Sequence, residues 1–277
     1  MHGAELDGMT VVVTGASRGL GRSMAGAFAH AGANVILASP EAELLATAAI
    51  EIEAATGRAC AVALVTDITL QRDCERVLSE GVGRFGQIDV LVNNARRPQR
   101  GPGLPVHGNS LPLWETDPGI WQEAVHVNVN GTFLISHILA PHMIARGFGR
   151  IVNISTSLDT MQRRHNSPYG VTKAALEAAT MIWAQDLEGT GVTCNSLLPG
   201  GMVKTDDDPH RASPRGRLLP VDIMNAPAVW LASRASSGVS GERFVATAWD
   251  ASLTVEEASR HAREAPVLRN PNDRRIA

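Results

Sequence analysis

Short apolar runs rich in β-branched residues alternate with helix-like segments along most of the chain, and this alternation constrains the fold more than any other feature. The runs fall at residues 10–13, 34–38, 59–65, 90–92, 150–155, 193–198 and, as a seventh candidate, 242–246. Strands of a parallel sheet are covered by helices on both faces and therefore read as continuous apolar runs. The pattern predicts one α/β domain, a doubly wound parallel sheet of about seven strands with helices on both faces.

Length and composition fit a single domain of this kind. The 277 residues, 44% of them hydrophobic, suffice for one large core. We expect residues 1–255 to form this domain. The charged, irregular tail at 256–277 is assigned to a subunit contact or to disorder.

Charge, termini and cysteines exclude several function classes. A net charge of −3 and the lack of a long basic run argue against nucleic acid as a partner. The N-terminus lacks a leader pattern and no apolar stretch reaches membrane length, so we expect a cytoplasmic protein without membrane contact. Cys60, Cys74 and Cys194 are odd in number and lack metal-ligand spacing, so neither disulfides nor a metal site is expected.

A glycine-rich turn, TGASRGLG at residues 14–21, joins the first predicted strand to a helix-like stretch at 23–31. Strand, glycine turn and helix in this order are typical of dinucleotide binding. Gly15, Gly19 and Gly21 would permit a tight turn, close approach of a pyrophosphate, and helix packing. The spacing is GxxxGxG and not GxGxxG, so a simple strand-to-helix turn is the alternative.

The ends of the second and third strands bear on the cofactor. Ser39 stands where enzymes that prefer NAD carry an acidic residue for the adenosine ribose. Arg18 in the glycine turn could meet a 2′-phosphate, which favours NADP over NAD, although a solvated Arg is the alternative. Asp67 could touch the adenine or could instead cap the next helix.

A Tyr and a Lys four residues apart form the main chemical motif. The chain contains one Tyr, Tyr169, and only two Lys, of which Lys173 has this spacing; random placement would give it in about 1% of such chains. Ser167 suits an N-cap and Pro168 a first helical position, so a helix over 167–188 would place both side chains on one face. The helix N-terminus and the ammonium favour a phenolate, which makes Tyr169 a candidate proton donor and acceptor. A partly buried Tyr on an ordinary amphipathic helix is the alternative.

Taken in order, TGASRGLG, NNA at 93–95, Asn128, IVNIS at 151–155, YGVTK at 169–173 and NSLLPGG at 195–201 resemble the classical short-chain dehydrogenase/reductase family. The resemblance spans residues 10–241. It implies a single-domain Rossmann fold, a nicotinamide cofactor and a small-molecule alcohol or ketone substrate. We expect a homodimer or homotetramer.

The resemblance also implies a catalytic tetrad. Tyr169 matches the family's proton donor and acceptor, and Lys173 matches the lysine that lowers its pKa and binds the nicotinamide ribose. Asn128 matches the asparagine that anchors a water leading to that lysine. The family's serine, thirteen residues before the tyrosine, is replaced by Thr156, with Ser157 as the alternative.

The implied cofactor site is large and draws on several strand ends. Its members are Thr14, Gly15, Ser17, Arg18, Gly19, Leu20, Gly21, Ser39, Asp67, Ile68, Asn94, Ala95, Arg96, Tyr169, Lys173, Pro199, Gly200, Met202 and Thr205.

The chain departs from the family at Arg96, where a glycine is usual, and at Trp249 and Asp250, which replace Gly-Gly. The segment 96–117 is longer than expected by about ten residues, and residues 204–219 are polar like a mobile lid. These departures bear on the substrate, not on the reaction class.

The sequence therefore predicts an oxidoreductase that transfers a hydride between NADP(H) or NAD(H) and a secondary alcohol or ketone. A 3-oxoacyl thioester reductase and a non-catalytic NADP-sensing regulator are the alternatives. Basic side chains near the expected substrate mouth favour an anionic substrate, with ordinary solvated loops as the alternative. They are Arg96, Arg97, Arg100, Arg163, Arg164 and His165.

Overall fold

The computed structural model describes residues 5–97, 111–205 and 218–268. Its strands are β1 Thr10–Thr14, β2 Asn34–Ser39, β3 Ala61–Val65, β4 Val90–Asn93, β5 Gly149–Ile154, β6 Val192–Leu198, β7 Arg243–Val245 and β8 Arg263–Glu264. Within these ranges they form one sheet in the order β3-β2-β1-β4-β5-β6-β7-β8. The strands from β1 to β7 pair in parallel, and β8 is antiparallel to β7.

Helices follow most strands. They are α1 Gly19–His30, α2 Ala42–Thr56, α3 Gln71–Phe85, α4 Pro118–Val125, α5 Thr132–Ala145, α6 Leu158–Met161, α7 Tyr169–Asp186, α8 Asn225–Ala232 and α9 Val255–Ala262. No helix of the described residues is long and apolar enough to cross a membrane.

The core lies on both faces of the sheet. Val11 and Val13 of β1 contribute to one buried cluster, together with Phe28 of α1, whereas Val12 contributes to another with Ile135 of α5. Successive side chains of a strand point to opposite faces, so both faces of β1 are covered. The predicted doubly wound α/β fold is confirmed.

The order of the strands determines where a ligand can bind. β1 pairs with β2 on one side and with β4 on the other, so the chain reverses its direction of progress across the sheet at β1. A crevice opens at the carboxyl ends of the strands at such a switch point. The glycine turn after β1 and the residues Asn94 and Ala95 after β4 border this crevice.

Three local expectations need correction. The sequence over 119–145 predicts one long helix, whereas the structure has a π-helical segment, His126–Gly131, between α4 and α5. The helix of Tyr169 begins at Tyr169 itself, with Pro168 at the N-cap, because the Pro168 carbonyl accepts the helical hydrogen bond of Thr172 N–H at 3.0 Å. Ser167 is therefore not the cap.

The segment after residue 255 differs from the irregular tail that the sequence suggested. It forms α9 and then β8, which pairs with β7 in the register Arg243 to Glu264. The capping box of Thr254 and Glu257 starts α9, and this signal was present in the sequence. The division of the chain at residue 255 stays a prediction, and residues 269–277 lie outside the described part.

Candidate active site

The glycine turn after β1 is built from contacts that exclude side chains. Gly15 has a φ of 65°, and a Cβ there would lie 2.8 Å from the Ala95 Cα. A Cβ on Gly21 would lie 2.3 Å from the Gly15 carbonyl oxygen. α1 begins at Gly19 within this turn, so its free N–H groups face the crevice. Bare backbone at a helix N-terminus suits a pyrophosphate.

Asn94 and Ala95 fix the shape of this turn. Thr14 Oγ1 accepts hydrogen bonds from the backbone N–H groups of Asn94 and Ala95, both at 3.0 Å. The Asn94 side-chain amide donates to the carbonyls of Thr14 and Gly15 at 2.9 and 3.0 Å. The end of β4 therefore supports the turn after β1.

A carboxylate that the sequence interpretation missed lies beside the glycine turn. Ser39 at the end of β2 and Ser17 both donate to the Glu41 carboxylate, and Arg18 Nη2 lies 3.3 Å from Glu41 Oε1. Burial opposes ionisation of Glu41, but the bonds from Ser39 and Ser17 and the charge of Arg18 outweigh it, so the Glu41 pKa is lowered. Ser39 and Arg18, both predicted cofactor residues, thus contact an anion from the protein itself. Its position two residues beyond the strand end could have suggested it.

Other predicted cofactor residues take structural contacts of their own. Asp67 accepts from Thr69 N and Oγ1 at 2.9 and 2.7 Å, and Leu70 is the N-cap of α3, so Asp67 does not cap that helix. Ile68 is buried against Gly131, where a Cβ would lie 2.8 Å from the Ile68 Cγ1.

The turn after β6 approaches the glycine turn from the other side. A Cβ on Gly19 would meet Thr205 Cγ2 at 3.4 Å, so Thr205 borders the expected pyrophosphate position. Gly200 has a φ of 87° and packs against Thr247. The Met202 carbonyl accepts a hydrogen bond from Leu219 N–H at 2.8 Å, so the chain segments at the two ends of the predicted lid are hydrogen-bonded to each other. Most of that lid, residues 206–217, lies outside the described residues.

Tyr169 and Lys173 lie together at the start of α7. The Lys173 Nζ is 5.9 Å from the centroid of the Tyr169 ring and donates to the Ile154 carbonyl at 2.5 Å. Lys173 is 3% exposed. Burial, with a smaller contribution from the charge of Arg96, lowers the Lys173 pKa to about 7, while Glu177 opposes the shift. The predicted Tyr-Lys pair is thus brought together in space.

Thr156 and Ser157 play different parts in the structure. Ser157 is the N-cap of α6, where its Oγ accepts from Thr160 N and also bonds Thr160 Oγ1 at 2.9 Å. The Thr156 carbonyl accepts from Arg243 Nη2 at 2.9 Å, and in the described part of the chain no hydrogen bond engages the Thr156 hydroxyl. The geometry therefore favours Thr156 over Ser157 as the residue that can donate to a substrate.

Asn128 lies in the π-helical segment and is buried. Its Oδ1 accepts from Arg97 N at 2.6 Å, and its Nδ2 donates to Thr172 Oγ1 at 3.1 Å. A π-bulge redirects side chains locally and is frequent at functional sites. Asn128 is thus joined to α7 next to Lys173, through Thr172.

The arginines near the expected substrate mouth are not equivalent. Arg97 Nε binds Glu123 Oε2 at 3.0 Å, and Arg163 contacts Thr160 at 3.5 Å. Arg96 is exposed, and its charge acts on Lys173. Arg100 lies outside the described residues. Among the described arginines, Arg96 is the one whose charge lowers the Lys173 pKa.

A bare glycine turn after β1 and a Tyr-Lys pair at the start of α7 are the features expected of a nicotinamide-dependent oxidoreductase. Sequence comparison agrees, since the profile described as short chain dehydrogenase matches residues 9–214. The chain belongs to the short-chain dehydrogenase/reductase family and is an NAD(P)-dependent oxidoreductase.

Individual relatives are similar over most of their length. L-fucose dehydrogenase of Oryctolagus cuniculus is 33% identical over 258 residues, which are 88% of this chain and 85% of that protein. Gluconate 5-dehydrogenase of Gluconobacter oxydans (strain 621H) is 34% identical over 265 residues, 90% of this chain and 96% of that protein. A short chain dehydrogenase from Shigella flexneri 2a complexed with NADP superposes with a TM-score of 0.74 at 26% identity, covering 88% of this chain and 99% of the other.

Proposed function

We propose that the protein interconverts a secondary alcohol and a ketone, with Tyr169 as the general acid and base. The nicotinamide, when bound, supplies or accepts the hydride. Tyr169 Oη then gives a proton to the carbonyl oxygen during reduction, or removes one from the hydroxyl during oxidation. The proximity of Lys173 to the Tyr169 ring carries this proposal.

Two further residues complete the proposed chemistry. A positive charge on Lys173 stabilises the Tyr169 phenolate. Lys173 would also bind a ribose hydroxyl of the cofactor, as the family resemblance implies. The Thr156 hydroxyl donates a hydrogen bond to the substrate oxygen and stabilises the charge that develops there. Asn128 supports the water path to Lys173, as the family resemblance implies.

We further propose that NADP(H) is preferred over NAD(H). The Ser17 and Ser39 hydroxyls and the Arg18 guanidinium already surround one anionic group, the Glu41 carboxylate. The same three donors suit a 2′-phosphate, which must displace Glu41 from them. A titration of the free protein with NADPH and with NADH, read by nicotinamide fluorescence, tests the preference. A tenfold tighter binding of NADH contradicts it.

For the substrate, we propose a polyhydroxylated acid. Support for the acid comes from Arg96, whose charge acts on Lys173, and from the name of one relative, gluconate 5-dehydrogenase. L-fucose is neutral, so the second relative supports only a polyhydroxylated substrate. The experiment compares 5-keto-D-gluconate with the neutral ketose D-fructose, using both cofactors. We expect kcat/KM to be higher for the acid and to fall with ionic strength. Equal values for both substrates contradict an anionic substrate.

The same assay decides the alternatives. Acetoacetyl-CoA in the panel tests the 3-oxoacyl thioester reading, and a preference for it over every sugar would replace the polyhydroxylated acid. Membership of a dehydrogenase family argues against a regulator without turnover. A cytoplasmic location stays a prediction from the sequence.

We propose that the chain forms a homodimer or homotetramer through α5 and α7. Phe133 on α5 is 52% exposed, and Val171 and Ile182 on α7 are 49% and 55% exposed. Large apolar side chains on neighbouring helices make a patch that is unusual on a monomer. Sedimentation velocity on wild type and on Phe133→Glu tests this, since the variant should dissociate. A monomeric wild type contradicts it.

A further inference from the structure

A buried arginine on β7 reaches the candidate active site. Arg243 is 1% exposed, and its guanidinium contacts three groups. Nη2 donates to the Thr156 carbonyl at 2.9 Å, Nε donates to Glu264 Oε2 at 2.7 Å, and Nη1 pairs with the Glu177 carboxylate. These contacts join β7, β8, α7 and the turn after β5 at one point.

The cost of burying this charge argues that its geometry is strongly held. The cost of burying an ion is offset only when its partners are well placed, and removing one partner leaves the other charge buried and uncompensated. Glu177 is itself 2% exposed and also accepts from Ser196 Oγ on β6 at 3.2 Å. The planar guanidinium has fixed donor directions, so the positions of its three acceptors are fixed relative to one another.

Two of these acceptors belong to the catalytic machinery or adjoin it. Thr156 is the residue whose hydroxyl would meet the substrate oxygen, and its carbonyl is the atom that Arg243 binds. Glu177 follows Lys173 by one turn of α7, and its negative charge raises the Lys173 pKa against the effect of burial. Arg243 therefore connects the turn after β5 with the helix that carries Tyr169 and Lys173.

We propose that Arg243 is a positioning residue for catalysis: it fixes the main chain of Thr156 so that the hydroxyl meets the substrate oxygen, and Glu264 holds Arg243 in this orientation. The proposal rests on the function proposed for Thr156 above. It also gives the segment after residue 255 a part in the reaction, because β8 supplies Glu264. A purely structural ion pair is the competing explanation.

A double-mutant cycle separates the two explanations. Arg243→Lys keeps the positive charge beside Glu177 but loses the forked contact, and Thr156→Val removes the hydroxyl. With 5-keto-D-gluconate and NADPH, we expect kcat to fall about 10-fold in Arg243→Lys and about 100-fold in Thr156→Val. The double variant should match Thr156→Val within about twofold, because Arg243 acts through that hydroxyl. Effects that multiply would overturn the proposal.

Arg150 provides a matched control. It is also 1% exposed, but it binds Ser233 O, Gly191 O and Ser237 Oγ at the opposite end of the sheet. Arg150→Lys should lower the melting temperature by an amount similar to Arg243→Lys, without lowering kcat. A drop in kcat that simply follows the loss of stability in both variants would show a structural role only.

A second measurement does not depend on turnover. Amide hydrogen exchange of peptides spanning residues 156–161 should be about tenfold faster in Arg243→Lys than in wild type, and unchanged in Arg150→Lys. Glu264→Gln, at a half-exposed position, should show a smaller increase in the same peptides. Unchanged exchange in Arg243→Lys overturns the positioning role. A wild type that lacks turnover but shows this pattern would refute the proposed function alone.

Should Arg243→Lys fail to fold, the variant Glu177→Gln/Arg243→Met removes both buried charges together. A neutral pair of similar volume avoids an uncompensated ion, so this variant is expected to fold. The exchange and cycle predictions for it are the same as for Arg243→Lys. If amide exchange at residues 156–161 in Glu177→Gln/Arg243→Met is the same as in wild type, the proposal is overturned.

Discussion

The two halves of the candidate site are held together in different ways. The cofactor half, around the glycine turn, depends on backbone shape: Gly15 and Gly21 leave no space for a Cβ, and Asn94 binds main-chain atoms. The catalytic half depends on charged side chains that bind main-chain atoms of distant segments. Lys173 donates a hydrogen bond to the Ile154 carbonyl, and Arg243 donates one to the Thr156 carbonyl. Substitutions in the first half should therefore change binding, and those in the second should change turnover.

The largest expected effect is the loss of turnover in Tyr169→Phe. The substitution removes one hydroxyl from the catalytic half, and without it the proton transfer has no donor, so kcat should fall at least about 1000-fold. NADPH affinity, measured by fluorescence titration, should stay within about twofold of wild type. Substantial residual activity would remove Tyr169 from the proposed role, and a large loss of affinity would mean that the two halves are not separable in this way.

In the cofactor half, Gly21→Ala should mainly weaken NADPH binding, whereas Tyr169→Phe should mainly reduce turnover. A Cβ at this position would lie 2.3 Å from the Gly15 carbonyl oxygen and 2.5 Å from Asn94 Nδ2, so the turn must shift. NADPH affinity should fall by about 30-fold or more, with stability lowered by about 1–3 kcal/mol. Gly83→Ala in α3 is the control, because a Cβ there meets nothing within 4 Å. Equal losses in both variants would contradict a special role for the turn.

These two halves also differ in how far the sequence could predict them. The glycine turn, the alternation of strands and helices, and the Tyr169-Lys173 pair follow from local patterns, and the structure brings Tyr169 and Lys173 together as expected. Glu41 was missed because its carboxylate returns to the strand end from two residues further on. Arg243 was missed because its partner Thr156 is 87 residues away, and no local pattern encodes that contact.

Local signals also misplaced one helix start and missed the structure of the tail. Ser167 and Pro168 are good helix-start residues, yet the helix starts at Tyr169. The tail read as irregular because it is rich in charge, although Glu264 and Arg263 find partners in Arg243 and Glu242. Composition alone cannot show that an exposed-looking charge has a buried counterion.

The buried amine of Lys173 offers a test of the catalytic half through stability. Its pKa is lowered to about 7 in the folded protein, mainly by burial. Folding therefore disfavours the ammonium: the penalty is absent above the unfolded pKa of about 10.4, grows as pH falls, and is complete below about pH 7. Without cofactor, the free energy of unfolding of wild type should rise by about 2 kcal/mol between pH 6.5 and pH 9, relative to Lys173→Met.

Urea denaturation of both proteins at the two pH values provides the measurement. Lys173→Met should be the more stable protein at pH 6.5, because it does not bury an ammonium group. It should also lose turnover, because the proposed chemistry needs that positive charge beside Tyr169. Parallel pH dependence of the two proteins would show that the amine of Lys173 is not held in a lowered-pKa state.

The smallest expected effect concerns Glu41, where the cofactor half resembles the catalytic half because a side-chain charge takes part. Glu41→Gln removes the anion that occupies Ser17, Ser39 and Arg18, so a 2′-phosphate no longer has to displace it. The affinity for NADPH should rise about 3–10-fold, while the affinity for NADH should change less than twofold. Glu43→Gln, in the first turn of α2 nearby, is the control for a general change of charge. If Glu41→Gln instead lowers the affinity for NADH and leaves the affinity for NADPH unchanged, the Glu41 carboxylate binds the ribose hydroxyl. The proposed preference for NADP is then wrong.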